Sequence, residues 1–218
     1  MVKPVERIQK NLLAASERRL LNWLVSRMPM AVTPDRLTSL GFIGALGVGA
    51  GFALSFVNPA WLWLTIASFV VNWFGDSLDG SLARFRKIER PNFGYFIDHS
   101  MDALGNLAIM VGIGLSPYVR FDVAMLALAS YLLLSIHTFL SAKATGQFNL
   151  TYLGGGPTEM RFILIGLAVA MLIVGPGKFA GFDASPFDLF VGGFAILLFG
   201  IFLAQTAKVG HALRALGK

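Results

Sequence analysis

Residues 61–115 read WLWLTIASFVVNWFGDSLDGSLARFRKIERPNFGYFIDHSMDALGNLAIMVGIGL. Two apolar runs, 61–82 and 92–115, are each long enough for a helix to cross the hydrocarbon layer, and a short charged connector, 84–91, separates them. The pattern predicts two antiparallel membrane helices. Each carries two aspartates at the end nearest the connector. Asp76 and Asp79 are three residues apart and Asp98 and Asp102 four apart, so each pair occupies one face of its helix. Because the connector turns the chain back, the two pairs arrive at similar depth and can converge.

The same reading extends outward over the whole chain. Further apolar segments at 37–57, 123–141, 160–174 and 187–207 are divided by turn-like stretches: Asn58-Pro59, Ser116-Pro117, Gly154 to Pro157 and residues 175–186. Thr33-Pro34-Asp35 supplies a cap and a first-turn proline for the first of them. Residues 5–28 set Ile8, Leu12, Leu13, Leu20, Leu21, Trp23, Leu24 and Val25 among basic residues at helical spacing, the pattern of an amphipathic helix lying in the headgroup region. The expected architecture is an all-α integral membrane protein, with an interfacial helix in residues 1–32 followed by a single six-helix transmembrane domain in residues 33–218.

Composition agrees. Hydrophobic residues make up 56% of the chain and charged residues only 14%, with mean hydropathy +0.68, outside the balance of a soluble domain. Charged residues interrupt every apolar run before Met28, so the N-terminus reads as retained rather than as a cleaved signal. The net charge of +6 does not mark a nucleic-acid binder, because the basic residues flank apolar spans. With the N-terminus in the cytoplasm, every Lys and Arg falls on that side except Arg120 and Lys178. That orientation places both termini and the acidic pairs at the cytoplasmic face of what reads as a prokaryotic inner membrane.

Four carboxylates held together in a low-dielectric setting repel, and protonation or a bound cation relieves them. With no cysteine in the chain, ligation by oxygen favours a hard ion such as Mg²⁺, Mn²⁺ or Ca²⁺. Capping offers a simpler role for Asp98 near a helix N-terminus, but it cannot explain Asp76 and Asp79, which lie where the helix dipole opposes negative charge. Gly80, Ala83 and Gly94 are small enough for a flat ligand to approach the backbone, and Arg84 can neutralise a phosphate. Arg86, Lys87 and Arg90 then enlarge a positive mouth. Helix packing and membrane topology account for the same small and basic residues equally well.

The pattern Asp76-x-x-Asp79-Gly80-x-x-Ala83-Arg84, continued by Gly94-x-x-x-Asp98-x-x-x-Asp102, resembles the signature of the CDP-alcohol phosphotransferases, a six-span membrane family. It covers 27 residues, with a segment between Arg84 and Gly94 one residue longer than is usual. The resemblance implies metal-dependent transfer of a substituted phosphate from a CDP-alcohol to a hydroxyl, with release of CMP, in phospholipid biosynthesis. It further implies that Asp76, Asp79, Asp98 and Asp102 hold Mg²⁺ or Mn²⁺, and that Asp102 is also the general base. Asp76, Asp79, Gly80, Ala83, Arg84 and Gly94 would bind the CDP moiety, and the enzyme would be a homodimer.

Phosphatidyl transfer from CDP-diacylglycerol to a small polar alcohol is the leading reaction. Transfer of a phosphocholine- or phosphoethanolamine-type group from a soluble CDP-alcohol to a lipid acceptor is the alternative, favoured by the Asp98-His99 dipeptide. A divalent-cation transporter is the competitor from another class, but it would favour inverted repeats and a site near the midplane. His99 has two readings, acceptor binding or proton transfer on one side and ordinary packing on the other. Glu159 and Arg161, following Gly154-Gly155-Gly156-Pro157-Thr158, are candidates for an acceptor pocket at the cytoplasmic start of the fifth span. His137 reads as an interhelical hydrogen-bonding residue, and Trp61, Trp63 and Trp73 as interfacial anchors. Gly41, Gly44, Gly47, Gly49 and Gly51 mark close helix contact, within the chain or between subunits.

Overall fold

Thr33 opens the first long helix. Its backbone is extended, its hydroxyl accepts from the Arg36 amide at 3.3 Å, and Pro34 fills the first turn, where no amide donor is needed. In the computed structural model, which describes residues 6–8, 14–145, 147–149, 157–179, 183–215 and 217, this helix is preceded by α1 (Ala14–Ser26) and is itself α2 (Pro34–Leu54). A short 3₁₀ turn, Pro59–Trp61, leads into α3 (Leu62–Arg86); α4 (Pro91–Leu115), α5 (Phe121–Thr145), α6 (Pro157–Val174) and α7 (Pro186–Ala215) follow. Two three-residue strands, β1 (Glu6–Ile8) and β2 (Gln147–Asn149), pair in parallel. The glycines at 154–156 lie outside the described residues.

Among the described helices, α2, α5 and α7 are long and apolar enough to cross a membrane. The bundle is built for lipid on its outside as well, since Ile43, Val70, Ile173 and Ile196 turn apolar side chains outward. Its interior gathers Val48 and Phe52 of α2, Phe69 of α3, Ile113 of α4, Ala124 of α5, Met171 of α6 and Val191 of α7 into one cluster. Burying the same apolar surface away from water is not what holds such helices together within lipid. Close backbone approach and interhelical hydrogen bonds must do more of the work.

Glycine supplies that approach, and it does so within the chain. A Cβ on Gly44 of α2 would lie 2.7 Å from the Asn72 Cα of α3, and one on Gly75 of α3 would lie 2.6 Å from the Gly41 Cα. On the opposite side of α2, Gly49 meets Gly112 of α4. Thus α2 is wedged between α3 and α4, which pack far more on it than on each other. The two acidic helices are joined by a short connector yet held apart, with α2 as the floor of a cleft between them.

The connector begins at Lys87, whose φ of 56° and ψ of 39° put it in the left-handed region that terminates α3. The Ile88 amide closes the turn on the Ala83 carbonyl at 3.0 Å. A residue with a Cβ is strained there, so Lys87→Gly is expected to raise stability by about 1 kcal/mol. Thermal unfolding in detergent reads this out, and a lowered midpoint would contradict it.

At the far end of the bundle, Ser185 and Asp188 cap α7 reciprocally. The Asp188 amide donates to Ser185 Oγ at 2.9 Å, and the Ser185 amide donates to Asp188 Oδ2 at 2.7 Å. Ser185 Oγ also donates to the Tyr118 carbonyl, and the Arg120 amide to Asp188 Oδ1. These bonds fasten the α4–α5 loop to α7. His137 of α5 lies 3.2 Å from Thr206 of α7, an interhelical contact between two helices that pack together.

Candidate active site

The acidic pairs stand on the two walls of the cleft that α2 separates. Asp76 and Asp79 face it from the C-terminal half of α3, and Asp98 and Asp102 from the N-terminal half of α4. Asp98 interacts electrostatically with Asp102, Asp76 and Asp79, and Asp79 with Asp76 and Asp102. All four carboxylates therefore share one electrostatic neighbourhood. Asp98, His99 and Asp102 each offer a ligand atom, and those atoms lie within 4.8 Å of one another.

Each acid has a distinct setting. Asp79 accepts from the Thr38 hydroxyl of α2 at 2.6 Å and from the Gly80 amide at 2.5 Å, so its orientation is set from two sides. Asp76 is paired with Arg161 of α6, whose Nε also donates to Asn72 Oδ1 at 2.9 Å. The Asn72 amide group in turn donates to the Gly41 carbonyl at 2.9 Å, tying this polar chain to the glycine contact. Asp98 and Asp102 are more open, with side chains 39% and 47% exposed, against 24% for Asp76. The solvent-facing wall is thus the one that an incoming molecule reaches first.

His99 sits with Nδ1 3.8 Å from Asp98 and 4.0 Å from Asp102. Its ring packs edge-on against Tyr95 at 4.4 Å and against Phe139 of α5 at 5.1 Å. The aromatic cage fixes the ring while one nitrogen still faces the acids. Both readings of this residue describe part of its surroundings.

The small and basic residues divide. Arg84 lies over Gly80, where an added Cβ would stand 3.3 Å from its Nη1, and it donates to Ser81 Oγ at 3.2 Å. A Cβ on Gly94 would meet nothing within 4 Å, so packing inside the chain does not require glycine there. Ala83 is half-buried on α3. Arg86 does not enlarge a positive mouth: its guanidinium donates to the carbonyls of Met28, Pro29 and Val32 and closes the α1–α2 turn. Arg90 is paired with Asp35 and stacks over Phe93. Both are occupied because the α3–α4 connector lies against the start of α2.

Thr38 and Asn72 were not among the candidates read from the sequence. Asn72 carried a usable signal, being a polar residue in an apolar helix one turn before Asp76 and so on its face. Thr38 carried none beyond a hydroxyl near a helix start. Glu159 stands half-buried in the first turn of α6, close in sequence to Arg161.

A helical bundle suited to lipid, with an acidic cleft braced by an arginine, defines an integral membrane enzyme. The sequence model of the CDP-alcohol phosphatidyltransferases matches residues 31–206, and the chain belongs to that family. It is a transferase of substituted phosphate groups, in a family that acts on a CDP-alcohol donor and an alcohol acceptor. Among its relatives, the archaetidylinositol phosphate synthase of Pyrococcus horikoshii is 30% identical over 167 residues, 76% of each chain. The phosphatidylinositol phosphate synthase of Cutibacterium acnes is 39% identical over 85 residues, 38% of each. The CDP-diacylglycerol–serine O-phosphatidyltransferase of Encephalitozoon cuniculi is 27% identical over 167 residues, covering 72% of this chain and 42% of the relative. This membership overturns the cation-transporter alternative.

The family uses divalent metals, and the donor set here fits one: carboxylate oxygens and one imidazole, with no thiol, converging on a single cleft.

Proposed function

We propose that this chain transfers a phosphatidyl group from CDP-diacylglycerol to the hydroxyl of a small polar alcohol, releasing CMP, with Mg²⁺ or Mn²⁺ held by Asp76, Asp79, Asp98 and Asp102. The observation that carries the reading is the electrostatic convergence of four acids from two helices, which nothing in the packing of the bundle calls for. The metal would neutralise charge on the diphosphate and on the departing CMP. Gly80, Ala83 and Gly94 leave room along the backbone for the CDP moiety, and Arg84 supplies charge to its phosphates. Asp102, the most open of the acids for which exposure is compared above, takes the acceptor proton as the acceptor oxygen bonds to phosphorus. The bond from that phosphorus to the CMP oxygen breaks, and CMP leaves with the electron pair.

The names of the relatives bear on the acceptor. Two are inositol phosphate synthases, which supports a phosphorylated polyol, and Arg161 and Glu159 with His99 are the residues proposed to receive it. Transfer from a soluble CDP-alcohol to a lipid, which His99 favoured, finds no support in those names. We further place α2 to α7 as six spans. The helices α3 and α4 match α5 in length at 25 residues, and their acids sit toward one end. The basic residues put that end in the cytoplasm of a prokaryotic cell, with α1 in the interface and a homodimer as the assembly.

The test is CMP release by purified protein in mixed micelles, comparing CDP-diacylglycerol with CDP-choline and CDP-ethanolamine across inositol phosphate, glycerol phosphate, serine and inositol. Metal-dependent release from CDP-diacylglycerol, abolished by EDTA and restored by Mg²⁺ or Mn²⁺, is expected. Release from a soluble CDP-alcohol alone would transfer the assignment to the second reaction. Thr38→Val, which removes the donor orienting Asp79, is expected to raise the half-saturating metal concentration about tenfold. An unchanged metal titration would detach Asp79 from the metal.

A further inference from the structure

Glu17 of α1 occupies a position that an interfacial anchor does not need. Its Oε1 accepts from Trp73 Nε1 of α3 at 2.9 Å, from Thr158 Oγ1 of α6 at 2.8 Å, and stands 3.5 Å from Ser77 Oγ of α3. The donors come from two helices and from positions 56, 141 and 60 residues away. Trp73 and Ser77 each follow a site residue, Asn72 and Asp76, while Thr158 precedes Arg161 by three residues on α6. Arg161 itself reaches back to Asn72 and Asp76. The helices α3 and α6 are thus joined twice, by Arg161 on the cleft side and by Glu17 on the α1 side, and the bonds form a closed ring.

We propose that Glu17 is a positioning residue for the transferase, a tie that sets the start of α6 against α3 so that Arg161 is presented at the acidic cleft. The apolar face of α1 already seats it on α3, through Val25, Leu21 and Leu24 against Leu78 and Leu82, and Arg86 closes its C-terminal turn. Anchoring alone would be met by those contacts. A carboxylate collecting donors from two site helices adds fixed geometry, and misplacement of a substrate-contacting group by about 1 Å can cost around 100-fold in rate. In this way α1 is coupled to the reaction though no residue of it lines the cleft. The inference rests on the proposed role of Arg161 toward the acceptor.

The experiment uses full-length Glu17→Ala, Glu17→Gln, Thr158→Val and the Glu17→Ala/Thr158→Val double variant. Rates of CMP release are measured with CDP-diacylglycerol and inositol phosphate varied separately. Glu17→Ala is expected to raise the KM for inositol phosphate about tenfold, with the donor KM changed by less than about twofold. Glu17→Gln, which keeps an acceptor oxygen for Trp73 and Thr158, is expected to stay within about threefold of wild type, and the double variant to be no worse than Glu17→Ala. A fall in kcat with both KM values unchanged, or penalties that simply multiply, would overturn the proposal.

A second arm does not depend on turnover. The chain has no cysteine, so spin labels on Val70→Cys of α3 and Phe162→Cys of α6, both outward-facing, report the α3–α6 separation alone. The distance distribution is expected to broaden in Glu17→Ala and to stay narrow in Glu17→Gln; an unchanged distribution in Glu17→Ala overturns the tie. If Asp102→Asn retains activity, the site reading fails, and the spin-label arm still decides whether Glu17 holds the helices.

Discussion

Asp102→Asn is expected to slow CMP release by about 10²–10⁴-fold, the range for losing a general base. The substitution is nearly isosteric and leaves an oxygen that can still face a cation, so the helix and the cleft should persist. What it removes is the negative charge and the lone pair that accepts the proton. Three observations make Asp102 the acid to change. Its side chain is 47% exposed, it lies on the open wall of the cleft, and it interacts electrostatically with both Asp79 and Asp98. The measurement is the initial rate at saturating metal, with donor binding checked separately. A variant that binds the CDP-alcohol normally and fails to turn over supports the assignment. One that keeps more than about a tenth of the wild-type rate returns Asp102 to a supporting role.

Gly75→Ala is expected to be the most damaging single-methyl change in the bundle. Its Cβ would drive into the backbone of α2, at the Leu37 carbonyl and the Gly41 Cα and amide, none of which can swing aside as a side-chain tip can. Forcing such an overlap costs about 1–3 kcal/mol and at times more. Here the displacement would also move the adjacent Asp76. Gly200→Ala on α7 provides the contrast, since nothing lies within 4 Å of its added methyl. Exchanging a helical glycine for alanine there should be neutral or stabilising by up to about 1 kcal/mol. Thermal inactivation of the two variants in detergent makes the comparison. Equal midpoints would mean that the α2–α3 crossing yields more readily than its backbone contacts suggest.

Both predictions depend on features with different visibility in the sequence. The paired acids were legible because residues three and four apart share a helix face, whatever the helix packs against. The glycines of α2 were legible as marks of close approach, but their partners were not. The structure pairs Gly44 with Asn72 and Gly49 with Gly112, so the contacts lie inside one chain. Trp73 could pass for an interfacial anchor by its position, whereas its indole is a donor to Glu17. The basic connector looked uniform. In space, Arg86 caps the α1–α2 turn and Arg90 pairs with Asp35, while Arg84 stays beside Gly80. In every case the missing information was a partner tens of residues away.

The sequence by itself determined where the helices run, that they suit lipid, and which faces of α3 and α4 carry acid. These follow from local periodicity, caps and composition, which act over a few residues. Tertiary structure decided that α2 lies between the two acidic helices and holds them apart, that Thr38 orients Asp79, and that Arg161 reaches Asp76. It also decided that Glu17 joins α1 to both α3 and α6. Such choices depend on which backbones can touch and which polar groups must find partners where water is absent, and both are properties of the assembled bundle.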